Sequence, residues 1–344
     1  MPSVTAIYIR EALYESAPNQ GEGLHNWLPK GARKCRTFGY SQEQAFELIA
    51  ETVVRRGGKI IPRSIEQATE RVYSQPFSTD VRQSARDWPA ADLDLIRSIT
   101  LDKPGEWLEE ILELSPVRLP DMPDIQPGTT DTIIHGLYPG EDLLLCLGVN
   151  NYSTETYRLS SVKDLHRFRL LVPSPMSKPI GITQDGRESG RCLDNTGQRQ
   201  YLVTEFDFKE FDDQQRPTKY APLIADWRSA KMTVQDACAA IILEMRQHGP
   251  LTMVVYSGGK SLHAWWWCLG ESEEPGSKLH RFMCGAAQRG ADTATYTRSQ
   301  FVRMPGAVRI NNGVKQSVHY LDFQYVQKET APGDQTGSGK LCIK

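Results

Sequence analysis

The chain lacks any long apolar run. Within an overall hydrophobic content of 39%, no stretch approaches the roughly 18 consecutive residues needed for a membrane-crossing helix, so no membrane partner is expected. The opening segment MPSVTAIYIREALYES carries Arg10 and Glu11 where a signal peptide needs unbroken apolar sequence, and the expected location is cytoplasmic. Paired cysteines are missing too. Seven are present, Cys35, Cys146, Cys192, Cys238, Cys268, Cys284 and Cys342, an odd number without a CxxC pair, which argues against a disulfide frame and for reduced thiols. Cys268, His280 and Cys284 come nearest to a zinc set, and their spacing reads as structural. An excess of positive charge is also absent. With a net charge of -2 and a pI near 6.4, any contact with phosphate must be local. The clusters available for it are Arg158 to Arg169 with Lys163 and Arg167, Arg187 to Arg199, and Arg298, Arg303 and Arg309.

No P-loop is complete. Gly259-Lys260-Ser261 has Val254 where the motif's first glycine belongs, and Gly339-Lys340 has Asp334 there. The chain therefore encodes no NTPase motor, and a helicase, if one is needed, would be a separately encoded partner. Internal repeats are lacking as well.

What is present divides the 344 residues in two. Residues 1–90 read as a helical accessory domain, because Ser41-x-x-Gln44 and Ser64-x-x-Gln67 each have the form of a capping box before an apolar periodic stretch. Residues 91–129 read as a linker region, with four prolines between Pro116 and Pro127. Residues 130–330 form the expected catalytic domain, and 331–344 a flexible tail. Strands are predicted at DLLLCLG, FRLLVP, YLVTEFDF, LTMVVYS, SLHAWWWCL and SVHYLDFQY, with helices after Thr233 and through Leu279, Met283 and Ala287. From Tyr201 onward the order is β-α-β-β-α-β, a ferredoxin-like or RNA-recognition-like unit in an α+β fold.

On an extended strand, side chains two apart share a face, which places Glu205 with Asp207. Two such carboxylates about 6 Å apart repel by about 3 kcal/mol at an effective dielectric near 20. A divalent cation turns that cost into affinity, and oxygen ligands suit Mg²⁺ or Mn²⁺. The same alternation puts Ser261, His263, Trp265 and Trp267 on one face, on a strand that this unit sets beside Glu205 and Asp207. His263 and Ser261 are donors suited to phosphate. The tryptophans read as sheet packing, with base stacking as the other possibility. Asp292 supplies an acid from a third segment, either to close a metal site or to cap a helix. Arg298, Arg303 and Arg309 follow it as candidate phosphate ligands.

The acidic pair in LVTEFDF, the S-x-H of SLH and the segment Asp292-x(3)-YTR-x(4)-Arg303 together resemble the three ordered motifs of the archaeo-eukaryotic primase superfamily, most of all its phage and plasmid primase-polymerases. The resemblance spans roughly residues 130–325. It implies a primase-type catalytic core in which Glu205, Asp207 and Asp292 hold Mg²⁺ or Mn²⁺ as a two-metal site. It further implies that Lys260, Ser261, His263, Arg298, Arg303 and Arg309 hold the phosphates of an NTP or dNTP, and that His263 joins the three acids in catalysis. The activity implied is primer synthesis or DNA extension on a single-stranded DNA template. One departure is Glu205, a glutamate where aspartate is commoner. Two other readings of the residues stay open: a nucleic-acid-binding replication-initiation module without synthesis, and a metal-dependent nuclease.

Overall fold

The computed structural model describes residues 13–14, 16–18, 24–37, 40–74, 88–140, 142–151, 153–183, 186–309 and 313–326. The expected tail, 331–344, lies outside the described residues. Contacts divide the chain into two units, 1–86 and 87–344. No described helix is long and apolar enough to cross a membrane.

In the first unit, helices α1 (Leu24–Thr37), α2 (Gln42–Arg55) and α3 (Pro62–Tyr73) bury Trp27, Leu28, Ala32, Ile49, Val53, Ile65 and Val72 against one another. Apolar residues three and four apart make the stripe that drives this packing. The capping box at Ser41 forms: its hydroxyl accepts from the Gln44 amide at 3.2 Å, and its own amide donates to Gln44 Oε1 at 2.9 Å. The second box does not start a helix. Helix α3 begins at Pro62, whose fixed φ suits the first turn, so Ser64 lies inside the helix.

The second unit opens with two helices in the stretch expected as a linker. These are α4 (Leu93–Leu101), capped by Asp92 on the amides of Asp94 and Leu95, and α5 (Trp107–Glu113). Ile96 and Ile111 belong to the main core. Helix α6 follows at Pro127–Leu137.

A first antiparallel sheet contains β1 (Leu144–Gly148), β2 (Thr154–Arg158), β3 (Leu170–Leu171) and β9 (Val302–Arg303), in the order β2-β1-β3-β9. A short hairpin pairs β4 (Gly181–Ile182) with β5 (Glu188–Ser189). The second sheet holds β6 (Tyr201–Phe206), β7 (Leu251–Tyr256), β8 (Leu262–Trp267) and β10 (Val318–Leu321), in the order β10-β7-β8-β6. Its helices are α7 (Ala221–Ser229), α8 (Val234–Met245) and α9 (Lys278–Gln288). The expected Thr233 cap on α8 is present as a full capping box with Asp236.

Period-two alternation sorts the second sheet into two faces. Leu202, Phe206, Leu262, Ala264 and Trp266 pack with α4, α5, α7, α8 and α9. Tyr201, Val203, Met253, Val255, Trp265 and Trp267 pack with α6 and with Leu145, Leu147, Leu171 and Val302 of the first sheet. The three tryptophans are all buried, so they serve the two cores and offer no base-stacking platform.

The predicted α+β class and the neighbouring of β6 and β8 hold, since both β6 and β7 run antiparallel to β8. Two details differ from a simple ferredoxin-like unit. The crossing from β6 to β7 carries two helices, with Pro222 in the first turn of α7. The last strand, β10, pairs with β7, where a ferredoxin-like sheet would seat it beside β6. At the end of β6 that edge is met by another segment: Phe206 bridges to Ala291, and the Asp292 amide donates to the Glu205 carbonyl at 2.8 Å.

On β10, burial pushes the His319 imidazole down from 6.5 to about 4, against the opposing pull of Asp124. Between those values the unfolded chain binds a proton that the folded chain refuses. Stability is therefore intact above pH 6.5 and falls as the pH drops toward 4, with a slope of at most about 1.4 kcal/mol per pH unit from this group. His319→Gln should flatten the pH dependence of the urea midpoint across that window relative to the parent chain.

Candidate functional site

The antiparallel register sets Glu205 directly opposite His263, and opposed residues hold their Cβ atoms about 4.5–5.5 Å apart. Both point to the face between the two sheets. Ser261 comes one residue before β8, at the end of a tight loop closed by the Ser257 amide on the Ser261 carbonyl at 3.0 Å. Gly258 makes that loop possible by taking the left-handed region at φ 75°. Ser261 Oγ lies 2.9 Å from Glu205 Oε1 and 2.8 Å from Ser257 Oγ. A hydroxyl has one proton, so Ser261 donates to the carboxylate and accepts from Ser257.

His263 is 3% exposed, and its Nε2 stands 3.4 Å from Glu205 Oε1, while Glu205 is 24% exposed. That contact is an ion-pair distance without hydrogen-bond geometry: neither ring nitrogen of His263 has a hydrogen-bond partner among the described residues. Burial alone would push the Glu205 carboxyl up. His263, the Ser261 hydroxyl and the charge of Arg303 more than offset this and hold it at about 2.

Arg303 reaches the same region from β9 of the first sheet, where it is paired with Leu170. Burial and the neighbouring charge of Arg309 lower its pKa, and Glu205 works against them. The Arg309 side chain lies over the glycine loop, where a Cβ added to Gly258 would come 3.0 Å from Arg309 Cδ. Among the described residues neither guanidinium is in an ion pair. Two like charges held close, with Glu205 as an opposing charge on Arg303, make a place where a further anion is favoured. Lys260 is exposed at the tip of the loop.

Arg298 serves elsewhere. It donates to the Gly197 carbonyl at 3.2 Å and approaches Glu273 at 3.5 Å. The same carboxylate takes Arg199, 2% exposed, at 3.0 Å, and Arg199 also donates to the Tyr296 carbonyl at 2.5 Å. This brace holds the turn that carries Asp292, so Arg298 reads as a structural tie here.

Strand β6 ends at Phe206, and the alternation that was expected to put Asp207 beside Glu205 ends with it. Asp207 pairs with Lys209 at 3.1 Å. It lines a separate cleft of about 380 Å³ together with Asp292. Asp292 Oδ1 accepts from the Ala294 amide at 2.9 Å and so caps the short 3₁₀ turn Thr293–Tyr296; the capping role and the place in the cleft coincide. Asp207 and Asp292 thus share this cleft, and Glu205 faces Ser261 and His263. No group of three His, Cys, Asp or Glu side chains among the described residues is gathered as a cation site. Cys268 is buried, while Cys284 Sγ and His280 Nδ1 stand 3.8 Å apart on α9. A larger hollow of about 480 Å³ bounded by α4, α5 and α8 contains none of the candidate residues.

Sequence reasoning missed Ser257 and the residues that wall the cleft, Trp88, Lys219 and Tyr220 among them, and offered Arg199 for phosphate where it is tied to Glu273. No local pattern marks them, because they reach the site through loops whose course depends on tertiary packing. No family model, curated protein or solved structure matches this chain.

Removing the buried Arg199 guanidinium should cost about 2–3 kcal/mol, since it makes charge-assisted bonds to Glu273 and to a main-chain carbonyl. Urea unfolding of Arg199→Ala should show a lowered midpoint with an unchanged denaturant slope.

Proposed function

We propose that the chain is a metal-dependent nucleotidyltransferase of the primase-polymerase kind, adding NTP or dNTP on a single-stranded DNA template. The observation that carries this reading is the group of basic side chains on the face between the sheets. There Arg303 and Arg309, neither in an ion pair among the described residues, stand near the buried His263, whose Nε2 is 3.4 Å from Glu205, and Asp207 and Asp292 line a cleft. Cations favour a polyphosphate, and acids near them favour the cation that travels with it.

The acids suit one mode of metal binding better than another. A preformed cage needs several converging oxygens, and no such group is gathered among the described residues. Mg²⁺, by contrast, keeps several waters and is commonly held by one or two carboxylates together with substrate phosphates. Asp207 and Asp292 each keep one carboxylate oxygen outside the bonds described above, which fits an ion arriving with the nucleotide. When bound, the ion would neutralise phosphate charge and favour ionisation of the attacking hydroxyl. Arg303, Arg309 and His263 would hold the phosphates, with Lys260 at the entrance. Glu205 has a different part: it accepts from the Ser261 hydroxyl and keeps a negative charge beside His263.

The lack of a gathered third carboxylate favours, as a second reading, a replication-initiation module that binds nucleic acid without synthesis. Labelled primer-template, nucleotides and Mg²⁺ or Mn²⁺ in one reaction separate the possibilities. Products longer than the primer support synthesis, shorter ones indicate a nuclease, and unchanged primer with retained DNA binding indicates the module.

Asp207→Ala and Asp292→Ala should each reduce extension a hundredfold or more, equivalent to about 3 kcal/mol of transition-state stabilisation. A double variant extending at the parent rate would overturn the assignment. The two kinds of acid should also differ in kinetics. Asp207→Asn should raise the Mn²⁺ concentration needed for half-maximal rate, whereas Glu205→Gln should chiefly raise the apparent KM for nucleotide.

A further inference from the structure

The hollow of about 480 Å³ between α4, α5 and α8 takes no part in the chemistry described above. Its size falls within the range of ligand-sized cavities. It belongs to the helix-covered side of the second sheet, the reverse of the face that carries Glu205 and His263. Ile96 and Ile111 fasten α4 and α5 to the main core, while α8 presents Ala240 to the hollow, a side chain too short to fill it.

Ile99, Trp107 and Leu243 give the hollow an apolar lining, and Leu114, 40% exposed, carries that lining to the surface. The rim bears charge of both signs. Glu110 is exposed and in no ion pair among the described residues. Arg246, over the Tyr320 ring at 5.3 Å, is in none either, and Gln247 adds an exposed amide. Glu244 is differently placed, since its carboxylate is already engaged by Arg289 at 2.6 Å and His248 at 3.3 Å.

The occupant follows from what these groups reject. A nucleotide or nucleic acid would bring phosphates toward the Glu110 and Glu244 carboxylates, which repel them. A polyamine would suit Glu110 and set its ammonium groups against Arg246. A purely apolar molecule would cover Glu110 and Arg246 and return nothing for their lost hydration. A polypeptide segment meets every demand, with aliphatic side chains for the lining, a lysine or arginine for Glu110, and main-chain carbonyls for Arg246 and Gln247. The surroundings favour a basic one, because α5 also exposes Glu109 and Glu113.

We propose that this hollow docks a separate protein through a short segment in which aliphatic residues alternate with lysine or arginine. The docking is independent of the nucleotidyltransferase reading, since no residue of the hollow serves in it.

The test is fluorescence anisotropy of the full chain with a labelled synthetic peptide of alternating leucine and lysine. Saturable binding is expected. Glu110→Arg should weaken it about tenfold, equivalent to about 1.4 kcal/mol, and Gln247→Trp, which fills the hollow from an exposed position, should weaken it by a similar factor. Leu193→Ser, at a leucine 39% exposed outside the hollow, should leave it unchanged. Circular dichroism should show all three variants folded. No saturable binding, binding indifferent to both hollow variants, or equal binding of a leucine-glutamate peptide would overturn the proposal. Three further outcomes would overturn the separate partner by giving the hollow to another occupant. Tighter binding of spermidine than of the peptide would assign it to a polyamine, and displacement of the probe by a synthetic peptide of residues 327–344 would assign it to the chain itself. Dimerisation of the parent chain that Glu110→Arg abolishes would assign it to a second copy.

Discussion

The antiparallel pairing of β6 with β8 is the constraint on which the rest depends. It opposes Glu205 to His263 and brings the Ser261 hydroxyl onto the same carboxylate. On the reverse face it lets Trp266 Nε1 donate to Thr204 Oγ1 at 2.9 Å. A slip of one residue would turn every side chain of one strand to the other face. His263 would enter the helix-packed core, and Trp266 would meet the first sheet. The hydrophobic demand for correct burial thus enforces the polar geometry, and the site needs no separate stabilising device.

Burial strengthens the polar pocket as it isolates it. Glu205 stays ionised because three donors or charges outweigh the cost of removing it from water. Arg303 is favoured by the Glu205 carboxylate, which also takes Ser261 and His263, and opposed by Arg309. In the acid cleft Asp292 is exposed.

The parts of this architecture that were legible in the sequence follow from local periodicity. The alternation in YLVTEF and LHAWWW marks β6 and β8, and the capping residues Ser41 and Thr233 mark helix starts, because each signal is written within a few neighbouring residues. Other parts were not legible because they are set by distant partners. Asp207 looked like a continuation of the strand, but β6 stops at Phe206, where Ala291 closes its edge. The proline-rich stretch looked like a linker, yet α4 and α5 precede most of its prolines and pack into the core through Ile96 and Ile111. Arg298 fitted a phosphate motif by spacing and is engaged by Glu273, a residue that nothing in the local sequence connects to it.

The segment that closes the edge of β6 also carries Asp292. An exposed strand edge is a template for pairing with other chains, and here its guard and a candidate catalytic acid occupy adjacent positions on one short turn. A substitution that loosens this turn would therefore carry two penalties at once, lost chemistry and a newly sticky border. Evolution has little room to trade one against the other, and attempts to re-engineer the cleft should leave residues 291–296 in place and work from its opposite wall.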